Sequence, residues 1–407
     1  MKSYLNNRVQ YANYKGIDSD LCKIEFGVPQ GSVLGPLLFL IYINDLVNAS
    51  SNGTFVLFAD DTNIFVTGRD ENEVYSKAQS VLNDIYAYMN SNLLHINMSK
   101  TVYMYFRPKM NHTERQTCAR ARIEKFLKLS KYTLKRVTKA KFLGVMIDDQ
   151  LTWDAQMEYL KEKLLSSIVV IKRIKKYIPE CEYVKLYYAL FQSHLSYCIS
   201  SWGGVSKYKL DTIFSMQKRC VRLLFGKELN FDHAAYYETC ARVRTFDQHI
   251  AKKNFTLEHT KPIFNKFKLL CLHHLFVYHT FLEIFKLFKF KQPLSVYEMF
   301  IFSSRSTSMN LIIPKTNIDL AKSNFVFQSS SIWNSLIKNI MNKCIPNSEG
   351  ILIPGSTQGS DLSANISGIK SKLKDALLEV QKIDTPHELG WNRSDFWNPE
   401  NFLNFRI

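Results

Sequence analysis

Asp60 and Asp61 are adjacent carboxylates within the otherwise apolar and β-branched run TFVLFADDTNIFVTG. If Phe58 and Phe65 partly enclose the pair, two like charges side by side are costly, and a divalent cation removes that cost. Hard oxygen ligands suit Mg²⁺, which keeps several waters and takes one or two protein carboxylates together with substrate phosphates. The same residues also read as two strands, FVLFA and TNIFV, joined at a tight turn. Aspartate suits such a turn because its short side chain hydrogen-bonds nearby backbone groups.

A second stretch, GVPQGSVLGPLLFLIYINDL, precedes the pair. Gly27, Gly31 and Gly35 let the backbone come close to a ligand, and the turn leads into a helix whose free N–H groups favour anions. Pro36 suits the first position of that helix, with Leu37, Leu38, Ile41 and Tyr42 on or near one face. A glycine-rich helix entry ahead of paired aspartates on a hairpin fits a nucleotide-polymerising palm.

These residues need a scaffold. The segment CKIEFGV reads as a strand, and ENEVYSKAQSVLNDIYAYMNSNLLHIN as a helix, with Val74, Ala78, Val81, Leu82, Ile85 and Met89 at three- and four-residue spacings. TVYMYF and KFLGVMI read as further strands. The fold class expected is α+β: an antiparallel sheet with helices over residues 1–150, followed by helical segments over 151–229 and 230–344. Residues 345–368, rich in Ser, Gly, Asn and Pro, read as a flexible linker, and 369–407 as a terminal helix and tail.

The 407 residues carry a formal charge of +17, which points to nucleic acid or an anionic membrane as partner. The charge is concentrated: residues 107–141 hold twelve Lys and Arg against two Glu. That run reads either as a phosphate-tracking surface or as a solvated face. Eight cysteines without a C-x-x-C pair indicate neither a zinc site nor a disulfide framework. Residues 269–288 are apolar but interrupted by His273, His274, His279, Glu283 and Lys286, so they read as a buried or amphipathic helix and no membrane partner is expected. The amino terminus lacks a signal-type apolar core, and an intracellular setting is the simplest expectation.

GVPQGSVLGPLLFLIYINDL and FADDTNIF together resemble the two most recognisable blocks of the reverse transcriptases of non-long-terminal-repeat retrotransposons, the jockey-like group in particular. NSNLLHINMSKTVYMYF is similar to the family block in which an Asn and a Lys-Thr pair, here Asn97, Lys100 and Thr101, precede a strand. KFLGVMIDDQLTWDAQMEYL resembles the block that ends the palm and begins the thumb. YCISSWGG, MQKRCVRLLFG and SSSIWNSL resemble the less specific helical remainder.

The resemblance implies an RNA-directed DNA polymerase that uses Mg²⁺ or Mn²⁺, an RNA template, a DNA primer and deoxynucleoside triphosphates. Asp60 would be a ligand of the catalytic metal ions and Asp61 its supporting neighbour. Pro29, Gln30 and Gly31 would line the pocket for nucleotide and template, and Lys100 would lie near the nucleotide phosphates or stand as a surface lysine. Phe142, Leu143 and Gly144 would lie on the hairpin that supports the primer end. The helices after Leu151 would form the thumb.

The family pattern also contains a further metal-binding aspartate, in a block of the type F-x-D-x-x-x-A-F-D upstream of the region equivalent to Met1. The chain opens at SYLNNRVQYANYKGIDSDLCKIEFGVPQG, which resembles the helix and strand downstream of that block. It therefore reads as an N-terminally truncated polymerase lacking the fingers, with little or no activity expected in isolation and an unpaired sheet edge. The alternative expectation is a non-catalytic nucleic-acid-binding remnant that keeps the basic, aromatic surface without the chemistry.

Overall fold

Short strands that turn back on themselves within two residues dominate the first part of the chain. The computed structural model describes residues 2–24, 27–29, 31–106, 126–226, 260–301, 311–314, 325–344, 370–371 and 373–378. The chain divides between Thr138 and Lys139 into two compact units, each with its own core.

In the first unit β1 (Val9–Gln10) pairs with β4 (Cys22–Lys23), and β2 (Asn13–Tyr14) with β3 (Ile17–Asp18). Helix α1 (Leu34–Ile43) leads through a 3₁₀ turn at Asn44–Asn48 to the hairpin of β5 (Thr54–Phe58) and β6 (Asp61–Phe65). Helix α2 (Glu71–Ser91) comes next, then β7 (Val102–Tyr103), β8 (Lys128–Leu129), β9 (Tyr132–Thr133) and β10 (Lys135–Arg136). The α+β class holds, but the single antiparallel sheet expected from the sequence does not form among the described residues. Five separate two-stranded ladders replace it in this unit, and the pairing of β7 with β10 is parallel.

The reason is local. β2–β3, β5–β6 and β8–β9 close through turns whose first residue, Lys15, Ala59 or Ser130, has φ of 52°, 52° or 56°. Such left-handed turns match strand twist and favour a strand pairing with its immediate neighbour.

Helix α2 begins at a reciprocal cap. The Asp70 side chain accepts the Glu73 N–H (2.9 Å), while the Glu73 carboxylate accepts the Arg69 N–H (2.8 Å). Its expected periodicity is borne out at Val81 and Ile85, which are buried with Tyr75. In α1, by contrast, Leu37, Ile41 and Tyr42 are exposed and the buried positions are Gly35 and Ile43. That helix is apolar nearly all round, so periodicity could not choose its inner face. The basic residues 107–125 and the expected linker 345–368 lie outside the described residues.

The second unit opens with the hairpin of β11 (Lys139–Phe142) and β12 (Val145–Asp148) and is otherwise helical, as expected. Its longest elements are α3 (Asp154–Ile174), α4 (Lys207–Phe225), α5 (Leu272–Phe290) and α6 (Phe325–Cys344). Buried Asp148 ends β12 and organises the entry to α3: its Oδ1 accepts the N–H groups of Gln150 (3.2 Å) and Thr152 (2.8 Å). Lys209 then ties α4 to that entry, donating to the Thr152 carbonyl and pairing with Asp154, each at 2.7 Å.

The core of this unit is built on large side chains with almost no exposure, among them Trp202, Tyr187, Phe191, Phe276 and Leu164. Helix α5 carries much of it, so the apolar run 269–288 lies mostly in a buried helix that begins at Leu272. No helix among the described residues is long and apolar enough to cross a membrane. A polar knot sits inside this core. Gln217 Nε2 donates to the Tyr187 hydroxyl (2.8 Å) and the Leu270 carbonyl (3.0 Å), and its Oε1 accepts the Leu272 N–H (2.8 Å). Burial pushes the Tyr187 phenol far above its usual range, so it stays neutral.

Truncating Gln217 strands three buried polar partners. Gln217→Ala is expected to lower unfolding free energy by about 3 kcal/mol, read from urea denaturation.

Candidate active site

The ladder Thr54↔Phe65 through Phe58↔Asp61 leaves Ala59 and Asp60 as the two turn residues and makes Asp61 the first residue of β6. Phe55 and Leu57 face inward, while Thr54, Val56 and Phe58 face outward along β5. Phe58 is 61% exposed and Phe65 48%, so these rings do not enclose the aspartates as the sequence suggested they could. The outward register of Phe58 is the cause. Both carboxylates stand exposed at the hairpin tip, where water carries the cost of their adjacency.

The glycine-rich turn is held by a residue that sequence reasoning passed over. Ser32 Oγ donates to the Pro29 carbonyl (2.7 Å), accepts the Gly35 N–H (3.1 Å) and bonds the Tyr4 phenol. It thereby closes the loop and satisfies one of the free N–H groups at the start of α1. A serine three residues before a helical glycine was the available signal.

Gly31 has φ of 82°, and a Cβ there would meet nothing within 4 Å. Glycine is thus required by backbone conformation, with open space beside it. At Gly35 a Cβ would lie 3.0 Å from the Pro29 carbonyl oxygen, a true close approach. Pro29 is half-buried, and Gln30 lies outside the described residues.

Asn97 folds the Lys100 segment into one turn. Its carbonyl accepts the N–H groups of Lys100 (3.2 Å) and Thr101 (3.0 Å) and the Thr101 hydroxyl (2.8 Å). Its side-chain oxygen accepts the Ser99 hydroxyl (2.7 Å), and the Lys100 side chain is exposed.

One core gathers these pieces. Phe39 and Ile43 of α1, Leu46, Phe55, Leu57 and Ile64 of the hairpin segment, and Val81 and Ile85 of α2 form a single apolar cluster. Leu94 and Ile96, just before Asn97, pack on it as well. The Tyr42 phenol donates to the Asn92 carbonyl (2.5 Å) and the Tyr88 phenol to the Tyr42 carbonyl (3.4 Å), tying α1 to α2. Phe142, Leu143 and Gly144 belong to the second unit, where Leu143 and Gly144 make the β11–β12 turn at φ of 44° and 86°.

Among the described residues no three or more His, Cys, Asp or Glu side chains are grouped to hold a metal ion. Asp60 and Asp61 therefore offer two adjacent carboxylates. That donor set fits a hard ion such as Mg²⁺ whose remaining positions are filled by water and phosphate oxygens.

Residues 1–147 match the family described as reverse transcriptase (RNA-dependent DNA polymerase). The chain is 23% identical over 255 residues to a probable RNA-directed DNA polymerase from transposon X-element of Drosophila melanogaster, covering 61% of this chain and 27% of that protein. It is 26% identical over 188 residues to a retrovirus-related Pol polyprotein from type-1 retrotransposable element R1 2 of Nasonia vitripennis, covering 45% of each. With the RNA-directed DNA polymerase from mobile element jockey of Drosophila melanogaster it shares 23% identity over 237 residues, 56% of this chain and 25% of that one. The matched region spans less than half the length of each of these relatives. No solved structure matches the chain.

Ser32→Ala removes the loop closure and the helix-start bond together. It is expected to lower the stability of the first unit by about 1 kcal/mol, read as an earlier transition in urea.

Proposed function

We propose that this chain, which through residues 1–147 is a member of the reverse transcriptase family, forms part of an RNA-directed DNA polymerase that holds a primer–template and a divalent metal ion. The observation that carries the reading is the shared core. It supports, on one side, the aspartate hairpin tip and, on another, the helix whose entry contains Pro29 and Gly31.

In this reading Asp60 and Asp61 hold Mg²⁺ or Mn²⁺. Pro29, Gln30 and Gly31 face the incoming deoxynucleotide and its template base, and the exposed Lys100 ammonium meets its phosphates. The reaction joins the primer 3′-hydroxyl oxygen to the α-phosphorus of a deoxynucleoside triphosphate, releases pyrophosphate and passes the hydroxyl proton to water. The metal ion, when bound, neutralises charge on the attacking and leaving oxygens. The chain's own residues contribute binding and orientation. The open side of Gly31 leaves room for a base or sugar, and Lys100 balances charge on the triphosphate.

Two neighbouring carboxylates on one hairpin supply only part of a two-metal cage, which draws bridging ligands from more than one strand. The isolated chain is therefore proposed to extend primers weakly or not at all. A specific observation favours nucleic-acid retention without chemistry as the second reading: lysines lie over exposed or accessible rings in the helical unit. Lys176 Nζ is 4.7 Å from the Tyr177 ring centroid, and Lys141 and Lys163 lie 5.2 and 5.5 Å from that of Tyr159. Tyr177 is 77% exposed, open to stacking with an unpaired base.

Binding of an RNA template annealed to a DNA primer, monitored by fluorescence anisotropy across a salt series, is expected to show log K falling with log salt at a slope of about −3 or steeper. Primer extension with Mg²⁺ is expected to be at or near background for both the wild-type chain and Asp60→Asn. Extension by the wild type that vanishes in Asp60→Asn would uphold the metal role and overturn the inactivity of the isolated chain. Salt-independent or absent binding would overturn the nucleic-acid reading altogether.

A further inference from the structure

A two-residue hairpin turn ordinarily projects into solvent with nothing to fix its direction. The Leu143–Gly144 turn is different, because Tyr197 lies along it. The Tyr197 hydroxyl donates to the Leu143 carbonyl at 2.5 Å. A Cβ on Gly144 would come within 3.1 Å of Tyr197 Cε1 and 3.2 Å of its hydroxyl oxygen and so press on the ring, at a position whose φ of 86° already favours glycine.

Tyr197 is itself held from behind. Its carbonyl accepts the indole N–H of Trp202 (2.9 Å), and Trp202 is wholly buried in the helical core. The chain breaks between two short helices, Ser193–Ser196 and Ile199–Trp202, with Tyr197 extended and Cys198 left-handed at φ of 50°. That break lets the Tyr197 backbone face Trp202 while the ring, half exposed, runs out to the turn. The base of the hairpin has separate anchors on α3. Lys139 pairs with Glu158 (3.1 Å), and the Met146 N–H donates to Gln156 Oε1 (2.8 Å). Removing Tyr197 therefore releases the tip without detaching the hairpin.

We propose that Tyr197 is a positioning residue for the primer end: by clamping the Leu143–Gly144 turn to the core through Trp202, it fixes where the turn meets the terminal primer nucleotide. The inference rests on the primer-support role that the family resemblance implies for Phe142, Leu143 and Gly144. Nothing in composition marked Tyr197, since its segment, YCISSWGG, read only as part of a helical remainder.

The test uses the full chain and a DNA primer ending in 5-iododeoxyuridine, annealed to an RNA template and irradiated. Crosslinked peptides spanning residues 139–148 are quantified per bound duplex. Tyr197→Phe, which deletes only the hydroxyl, and Gly144→Ala, which pushes the ring away, are each expected to reduce that crosslink about tenfold. Tyr208→Phe, on an 83% exposed ring of α4, is the control expected to leave it unchanged. A strong wild-type crosslink retained in both variants would overturn the role of Tyr197 while sparing the hairpin. Wild-type binding with no crosslink to residues 139–148 would overturn the primer-support reading and this inference with it. Thermal unfolding midpoints of both variants, expected within about 4 °C of the wild type, separate a displaced tip from a damaged fold.

Discussion

The apolar cluster under the aspartate hairpin is the constraint on which the first unit depends. Leu46 and Val81 are almost wholly buried, and around them Phe39, Ile43, Phe55, Leu57, Ile64 and Ile85 lock three elements together. Two exposed carboxylates have no means of fixing their own direction. The inward alternation of Phe55 and Leu57 does so for them, because a one-residue slip of β5 would turn both side chains into solvent. The same cluster orients α1, so the direction of the hairpin tip and that of the glycine-rich helix entry are set by one packing event.

Charge and polarity are distributed to match. The carboxylates stay in water, while buried polar groups such as Gln217 and Asp148 hold helices and turns. The second unit relies on aromatic packing and presents lysines beside tyrosine rings at its surface, a combination suited to phosphate and base contacts. Its hairpin tip, tied to the core through Tyr197 and Trp202, is the one place among that unit's described residues where a site expected from sequence and the packing of the core meet directly.

Much of this was legible in the sequence, for identifiable reasons. Helix α2 showed itself through its apolar period, and the α3 and α4 helices through the helical pattern of residues 151–229. The β5–β6 hairpin was marked by its two apolar runs, with the turn expected at Asp60–Asp61 and found one residue earlier at Ala59–Asp60; KFLGVMI read as a single strand, and only the family resemblance placed Leu143–Gly144 on the hairpin that β11 and β12 form. The inner face of α1 was not legible, because Leu, Phe, Ile and Tyr surround its whole circumference and only tertiary packing chooses among them. A single sheet was expected where separate ladders formed, since strand patterns report which face is apolar and say little about which strands pair. The exposure of Phe58 turned on register alone. Ser32 and Tyr197 escaped notice because one hydroxyl bond to a loop carbonyl leaves no periodic trace.

The central claim is that the tip carrying Asp60 and Asp61 takes a divalent metal ion in the presence of nucleic acid and nucleotide. The most direct measurement is an electron paramagnetic resonance titration of Mn²⁺ against the chain bound to an RNA–DNA primer–template with a deoxynucleoside triphosphate, beside the Asp60→Asn, Asp61→Asn double variant. The wild type is predicted to deplete the free Mn²⁺ signal, and the double variant to bind at least about tenfold more weakly. Equal uptake of Mn²⁺ by the two would contradict the claim.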